Sequence, residues 1–101
     1  WNIKLQNDGH YTISSNLNNN KVIDVASGLF RDRTNIQLYN SNFTQAQKWD
    51  INHFGRSSFE ISTQNRRYCL DIQGGAINNG TNIQLRMVLI ILAVLWIIIK
   101  Y

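Results

Sequence analysis

"TNIQLYNSNFTQAQKWDI" (residues 34–51) and "TNIQLRMVLIILAVLWII" (residues 81–98) open on the same pentapeptide and reach a tryptophan at the same distance. Leu38 to Trp49 spans eleven positions, and so does Leu85 to Trp96. The match extends upstream. Tyr11, Ile13 and Ser14 correspond to Phe59, Ile61 and Ser62, and Ile23-Asp24-Val25 corresponds to Leu70-Asp71-Ile72. Trp1, Trp49 and Trp96 mark three repeat ends, 48 and 47 residues apart. Self-similarity at this period is the signature of a repeat architecture. Trp1 reads as the closing tryptophan of an earlier repeat, so the chain is expected to be a fragment.

Each repeat reads as four short strands. Residues 11–15 and 59–63 alternate apolar and polar side chains, as a half-buried strand does. "KVIDV" and "YCLDI" are β-rich around a single Asp, "NIQLY" alternates again, and "QKWDI" is the fourth strand. The runs between them are turn-forming: "NLNNN", "ASGLFRDR", "NSNFTQ", "GGAINNG". Up to Leu85 the chain carries Asn at fourteen positions and no proline. Asn bonds to its own backbone and tolerates left-handed conformations, which favours turns over helix interiors. A propeller blade of similar length would carry Gly-His and Trp-Asp together; Trp49-Asp50 alone does not meet that pattern.

A chain of 101 residues holds one small domain. Its net charge of +4 is scattered over sites such as Arg31, Arg33, Arg56, Arg66 and Arg67. That reads as a solvated surface without the dense basic stripe a nucleic-acid binder needs. Cys69 is the only cysteine, so no internal disulfide forms. Between Tyr68 and Leu70 it reads as a buried apolar thiol. His10 and His53 each stand alone, without a partner at metal-ligand spacing. No catalytic constellation is visible: Asp24 and Asp71 lie in separate repeats, whereas glycoside hydrolysis needs two facing carboxyls. There is no Ser-His-Asp set and no phosphate-cradling glycine loop.

An Asp in a "(V/L)-(I/L)-D-V" strand, then "T-N-I-Q-L-Y", then "A-Q-K-W" resembles the ricin B-type lectin repeat with its Gln-x-Trp motif. The resemblance covers residues 1 to 85 well and the last sixteen poorly. It implies an all-β fold, a β-trefoil of which about two of three lobes are present. The expected organisation is an end strand and linker of a preceding repeat (1–9), a first repeat (10–51), and a second repeat (52–101) with an atypical hydrophobic end at 86–99. The three motif tryptophans are expected in the core, since a large aromatic at each repeat end is what a shared core requires. The resemblance further implies a non-catalytic carbohydrate-binding module, galactose-type or related. It would belong to a secreted, bacterial-type glycosidase or toxin, with glycans as partners, no cofactor, no metal and an extracellular setting.

Carried over residue by residue, the resemblance implies a sugar site at Asp24, Tyr39 and Gln47, supported by Gln37. The carboxylate would accept from two sugar hydroxyls, the aromatic would cover the sugar's C–H face, and the amides would fix orientation. Each residue also has a purely structural reading. Asp24 and Asp71 can bond turn amides; Gln37, Gln84 and Gln47 can tie neighbouring strands, and for Gln37 the structural role is favoured. Strong binders of the family carry Asn where this chain has Ala46. A missing side-chain amide costs about 1 kcal/mol of net hydrogen bonding, so weak, avidity-dependent binding is expected. The second repeat keeps Asp71 and Gln84 as a degenerate second site. Arg86 replaces the stacking aromatic there, and Ala93-Val94 replaces the polar pair.

Residues 87–99 are thirteen uncharged, almost wholly aliphatic positions, and three readings compete for them. A membrane span needs roughly twenty residues, so a membrane-associating fragment is the poorer fit. An apolar strand pair awaiting a partner would be prone to self-association. The third reading is a pair of compensating frameshifts bracketing residues 86 to 95. Val, Leu and Ile codons share a middle T, and reading one base earlier turns the run into Asn, Ser, Thr and Gly, with Trp96 back in register. Besides glycan binding, a decayed structural trefoil without sugar affinity therefore stays open.

Overall fold

The computed structural model describes residues 1–54, 58–76 and 78–88. They form eight strands: β1 (Asn2–Leu5), β2 (Tyr11–Ser14), β3 (Lys21–Val25), β4 (Ile36–Asn40), β5 (Asp50–Phe54), β6 (Ser58–Ser62), β7 (Tyr68–Ile72) and β8 (Ile83–Met87). Two antiparallel four-stranded sheets result, β1-β2-β3-β4 and β5-β6-β7-β8, each in sequence order. We call them the first and second lobes. The helical segments between the strands are short 3-10 turns such as Ala26–Gly28 and Gln45–Gln47.

The sequence repeat reappears as a repeat of pairing. In each lobe the outer pairs are fully registered, and the middle pair touches at one position. In the first lobe Ile3 faces Ile13, Ser14 alone faces Val22, and Lys21 to Val25 run against Asn40 to Ile36. In the second, Ile51 faces Ile61, Ser62 alone faces Cys69, and Tyr68 to Ile72 run against Met87 to Ile83. The Asn-rich turn between β2 and β3 explains the single contact in the first lobe. Asn18 Oδ1 accepts from the Asn20 amide at 3.0 Å, and the Lys21 amide donates to Asn18 O. These local bonds satisfy the backbone where the strands diverge. The sequence boundary at 51/52 falls inside β5, whose pairing is with β6; the phase of a tandem repeat is open in sequence and fixed in space by the neighbouring strand.

The lobes meet where the two copies of the shared pentapeptide approach each other. Asn35 bridges Gln84, the Arg33 amide donates to Leu85 O at 2.8 Å, and the Leu85 amide donates to Thr34 O at 2.9 Å. Asn82 Nδ2 donates to Asn35 Oδ1 at 2.7 Å, and the Met87 amide to Asp32 Oδ1 at 2.8 Å. The same junction carries the core. Ile13, Val25, Ala46, Trp49, Tyr68 and Leu85 are buried together, with Ile23, Ile36, Ile61, Leu70 and Met87 packed against them. Trp49 is fully buried, its indole N–H donates to Ile23 O at 3.2 Å, and its backbone exchanges bonds with Tyr11. Burying an indole removes about 200 Å² from water, worth at most ~5 kcal/mol at ~25 cal/mol/Å².

Trp1 departs from the expectation of a core tryptophan, being 67% exposed. It precedes β1, whose four residues are all exposed. It lines an apolar cleft of about 390 Å³ with Ile23, Ile36, Leu70 and Ile83, so it touches apolar neighbours without being enclosed by them. Trp96, Ala93, Val94 and the rest of the aliphatic run from residue 89 lie outside the described residues, as does Arg56. Of that run only Met87, which ends β8, and Val88 are described. Val88 is buried and donates its amide to Arg67 O at 3.0 Å. Among the described residues no helix is long and apolar enough to cross a membrane.

Candidate functional site

The hairpin of β3 and β4 sets three of the four expected site residues on one face. Asp24 lies directly opposite Gln37, and Tyr39 follows two positions further along β4, opposite Val22. Side chains two apart on a strand share a face, so the spacing Gln-x-Tyr places the phenol beside the carboxylate. Tyr39 is 50% exposed, and Asp24 is 4% exposed. The carboxylate forms a floor, and the ring stands at the rim.

Two amides hold that carboxylate, one on each oxygen. Gln37 Nε2 donates to Asp24 Oδ1 at 3.2 Å, and Gln47 Nε2 donates to Asp24 Oδ2 at 2.8 Å. A carboxylate offers about four acceptor positions on its two oxygens, so each oxygen keeps capacity for a further donor. Gln47 is itself 1% exposed. Its Nε2 also donates to Asn40 O at 2.8 Å, and its Oε1 accepts from the Asn42 amide at 2.8 Å. It therefore lies beneath the site instead of completing its wall, and its amide fixes Asp24 and the 40–47 segment together.

That segment curls over the hairpin for local reasons. Asn42 Oδ1 accepts from both the amide and the hydroxyl of Thr44, at 3.1 and 2.7 Å, and the Gln47 amide donates to Thr44 O at 3.0 Å. Ala46 is buried. The resulting cleft of about 580 Å³ is lined by Asp24, Gln37, Tyr39, Thr44 and Gln45, with Ser27 and Phe30 from the turn after β3. Asp24 carries the only formal charge among its lining residues. Its size falls in the range of small-molecule sites, about 300–1,000 Å³.

The second lobe repeats half of this. Gln84 lies opposite Asp71 and donates Nε2 to its Oδ2 at 3.2 Å. Arg86, exposed, occupies the place of Tyr39, opposite Cys69. No second amide reaches Asp71 among the described residues.

Outside these hairpins the structure adds contacts that spacing did not reveal. His10 is not alone: its Nδ1 lies 2.8 Å from Asp50 Oδ1, across forty residues of sequence. His53 packs its ring on Phe59, with centroids 4.5 Å apart. Burial pushes the half-buried Cys69 thiol above its ordinary pKa. At Asp8 the Lys48 ammonium, 2.8 Å away, is the main cause of a lowered carboxyl pKa. Phe30 and Gln45, both lining the cleft, were missed in the sequence, although an aromatic stranded in a polar turn is a readable signal. Among the described residues no cluster of His, Cys, Asp and Glu could hold a metal ion.

In the first hairpin a single carboxylate thus lies under an aromatic rim. The chain matches the family model "Ricin-type beta-trefoil lectin domain-like" over residues 1–86, and it belongs to that family, whose domains are non-catalytic lectin-like modules. Among solved structures it is similar to the designed threefold-symmetric protein ThreeFoil, at TM-score 0.79 and 20% identity over 86% of this chain. It is also similar to a mosquitocidal holotoxin, at TM-score 0.76 and 19% identity over 86% of this chain. The chain spans 61% of the designed protein and 11% of the toxin. Both likenesses concern the fold. No curated protein matches the chain.

Proposed function

We propose that this chain binds glycans without transforming them, through the cleft over Asp24, with galactose-type sugars as ligands. The observation that carries the reading is the buried Asp24 carboxylate, fixed by one amide on each oxygen beneath an exposed tyrosine. Two adjacent sugar hydroxyls would donate to Asp24, and charge-assisted bonds of this kind are about twice as strong as neutral ones. Tyr39 would cover the apolar face of the pyranose. Gln37 and Gln47 act by orienting the carboxylate before the sugar arrives, which lowers the ordering cost of binding. Ala46 supplies no side-chain donor, so the affinity of a single site is expected in about the millimolar range. Tight retention then relies on multivalent presentation.

Asp71 and Gln84 form a degenerate second site that does not bind sugar as written. The module is further proposed to work outside the cell, as the targeting part of a larger secreted glycosidase or toxin. The test is retention of the full chain on immobilised galactose. It is expected to be retarded and released by free galactose, and Asp24→Asn is expected to elute unretarded. No retention on galactose or on any member of a broad glycan panel would leave a structural trefoil whose sites have decayed.

A further inference from the structure

We propose that the sugar cleft continues across the lobe junction, so that the ligand is an oligosaccharide whose second unit rests on Phe30 and reaches the second lobe. This rests on the reading of Asp24 as a sugar site. The cleft over Asp24 has a neighbour on the side of the second lobe. Phe30 and Gln45, which line it, also line a neighbouring cleft of about 300 Å³ whose opposite wall is Gln64, Asn65 and Arg67. Gln64 and Asn65 in turn line a polar cleft of about 640 Å³ with His10, Asp50 and Asn52. The three clefts thus adjoin one another through shared lining residues, in a series that runs from the first lobe to the second.

The groove has the chemistry of a sugar path. Phe30 is an exposed aromatic among polar neighbours. It offers no hydrogen bond, only a flat apolar face of the kind that packs on pyranose C–H groups. The side-chain amides of Gln45, Gln64 and Asn65 make no hydrogen bond among the described residues, and all three residues are exposed. Each presents donors and an acceptor to the groove, the pairing a sugar hydroxyl requires. The far wall is held in shape. The Thr63 amide donates to Tyr68 O at 2.8 Å, the Arg66 amide to Thr63 O at 3.0 Å, and the Tyr68 amide to Thr63 Oγ1 at 3.2 Å. Asn65 sits in the left-handed region at φ 61° inside that closed turn. Arg67 adds an exposed guanidinium. The backbone of the wall is already held before a ligand arrives, which confines the ordering cost to the exposed side chains.

The experiment compares methyl galactoside with a galactose-terminated trisaccharide, titrated into the full chain by calorimetry. The trisaccharide is expected to bind about tenfold tighter. The Gln64→Ala/Arg67→Ala double variant, altered only on the second lobe, is expected to lose that advantage while binding methyl galactoside as before. Phe30→Ala is expected to weaken the trisaccharide more than the monosaccharide. Equal affinity for the two ligands, or an advantage that survives the double variant, overturns the extended groove and leaves the Asp24 site standing. Binding of neither ligand overturns the sugar site itself, and the extension with it.

Discussion

Asp24 and Asp71 occupy equivalent places in two copies of one hairpin, yet their surroundings differ. Asp24 is nearly buried, takes an amide on each oxygen, and lies beside a tyrosine. Asp71 is half-buried, takes one amide at 3.2 Å, and has an arginine where the tyrosine would be. The strand register is identical in the two lobes. The hairpin is therefore kept by the fold, and what distinguishes the two carboxylates lies around it: the amide from below and the aromatic at the rim.

The comparison breaks most completely at Trp49, which both lobes need. Trp49→Ala removes the largest fully buried side chain among the described residues and is expected to cost about 3–5 kcal/mol. That is most of the stability a small domain has. The expected outcome is loss of a cooperative urea transition at room temperature, with both lobes unfolding together.

A sharper test sets the amides against each other. Gln47→Ala strands three partners: an Asp24 oxygen, Asn40 O and the Asn42 amide. It is expected to destabilise by about 2–3 kcal/mol. Gln84→Ala removes a single side-chain bond, to Asp71, and is expected to cost about 1 kcal/mol. Urea midpoints of the two variants, measured side by side, check the order. Equal losses would mean that the additional bonds of Gln47 contribute nothing beyond a single amide bond.

At the rim, Tyr39→Arg copies the second lobe into the first. The half-exposed ring contributes little to the core, so stability is expected to change by less than about 0.5 kcal/mol. Retention on immobilised galactose, by contrast, is expected to fall to the level of Asp24→Asn. The smallest effect concerns Cys69. Its thiol is raised by burial, and a raised thiol pKa means less thiolate at neutral pH. Alkylation by iodoacetamide is expected to be slower in the folded chain than in the same chain in urea, with the difference narrowing as pH rises through the folded pKa.

The repeated pentapeptide and the matching strands upstream of it made the two-lobe β architecture legible, because the same alternating pattern recurs at fixed spacing. Asp24, Gln37 and Tyr39 came from the resemblance to the lectin repeat; the two-residue period puts Gln37 and Tyr39 on one face, and the hairpin register sets Asp24 opposite Gln37. What escaped was everything decided by packing between segments. Trp1 repeats the motif tryptophan in sequence, but exposure depends on which elements cover it. His10 and Asp50 meet across forty residues, a proximity no local spacing encodes. Gln47 carries the motif and still lies under the cleft, because whether a polar side chain faces ligand or backbone depends on the curl of the 40–47 segment. Phe30 and Gln45 enter the cleft from turns whose direction is set by the same packing.

The most direct measurement is a galactose titration of the isotope-labelled full chain, followed by amide and aromatic NMR shifts. Saturable shifts are expected at Asp24, Tyr39 and the Thr44 to Ala46 amides, with the amides of Asp71, Gln84 and Arg86 unmoved. Shifts of equal size around Asp71, or none around Asp24 at saturating sugar, would contradict the proposed site.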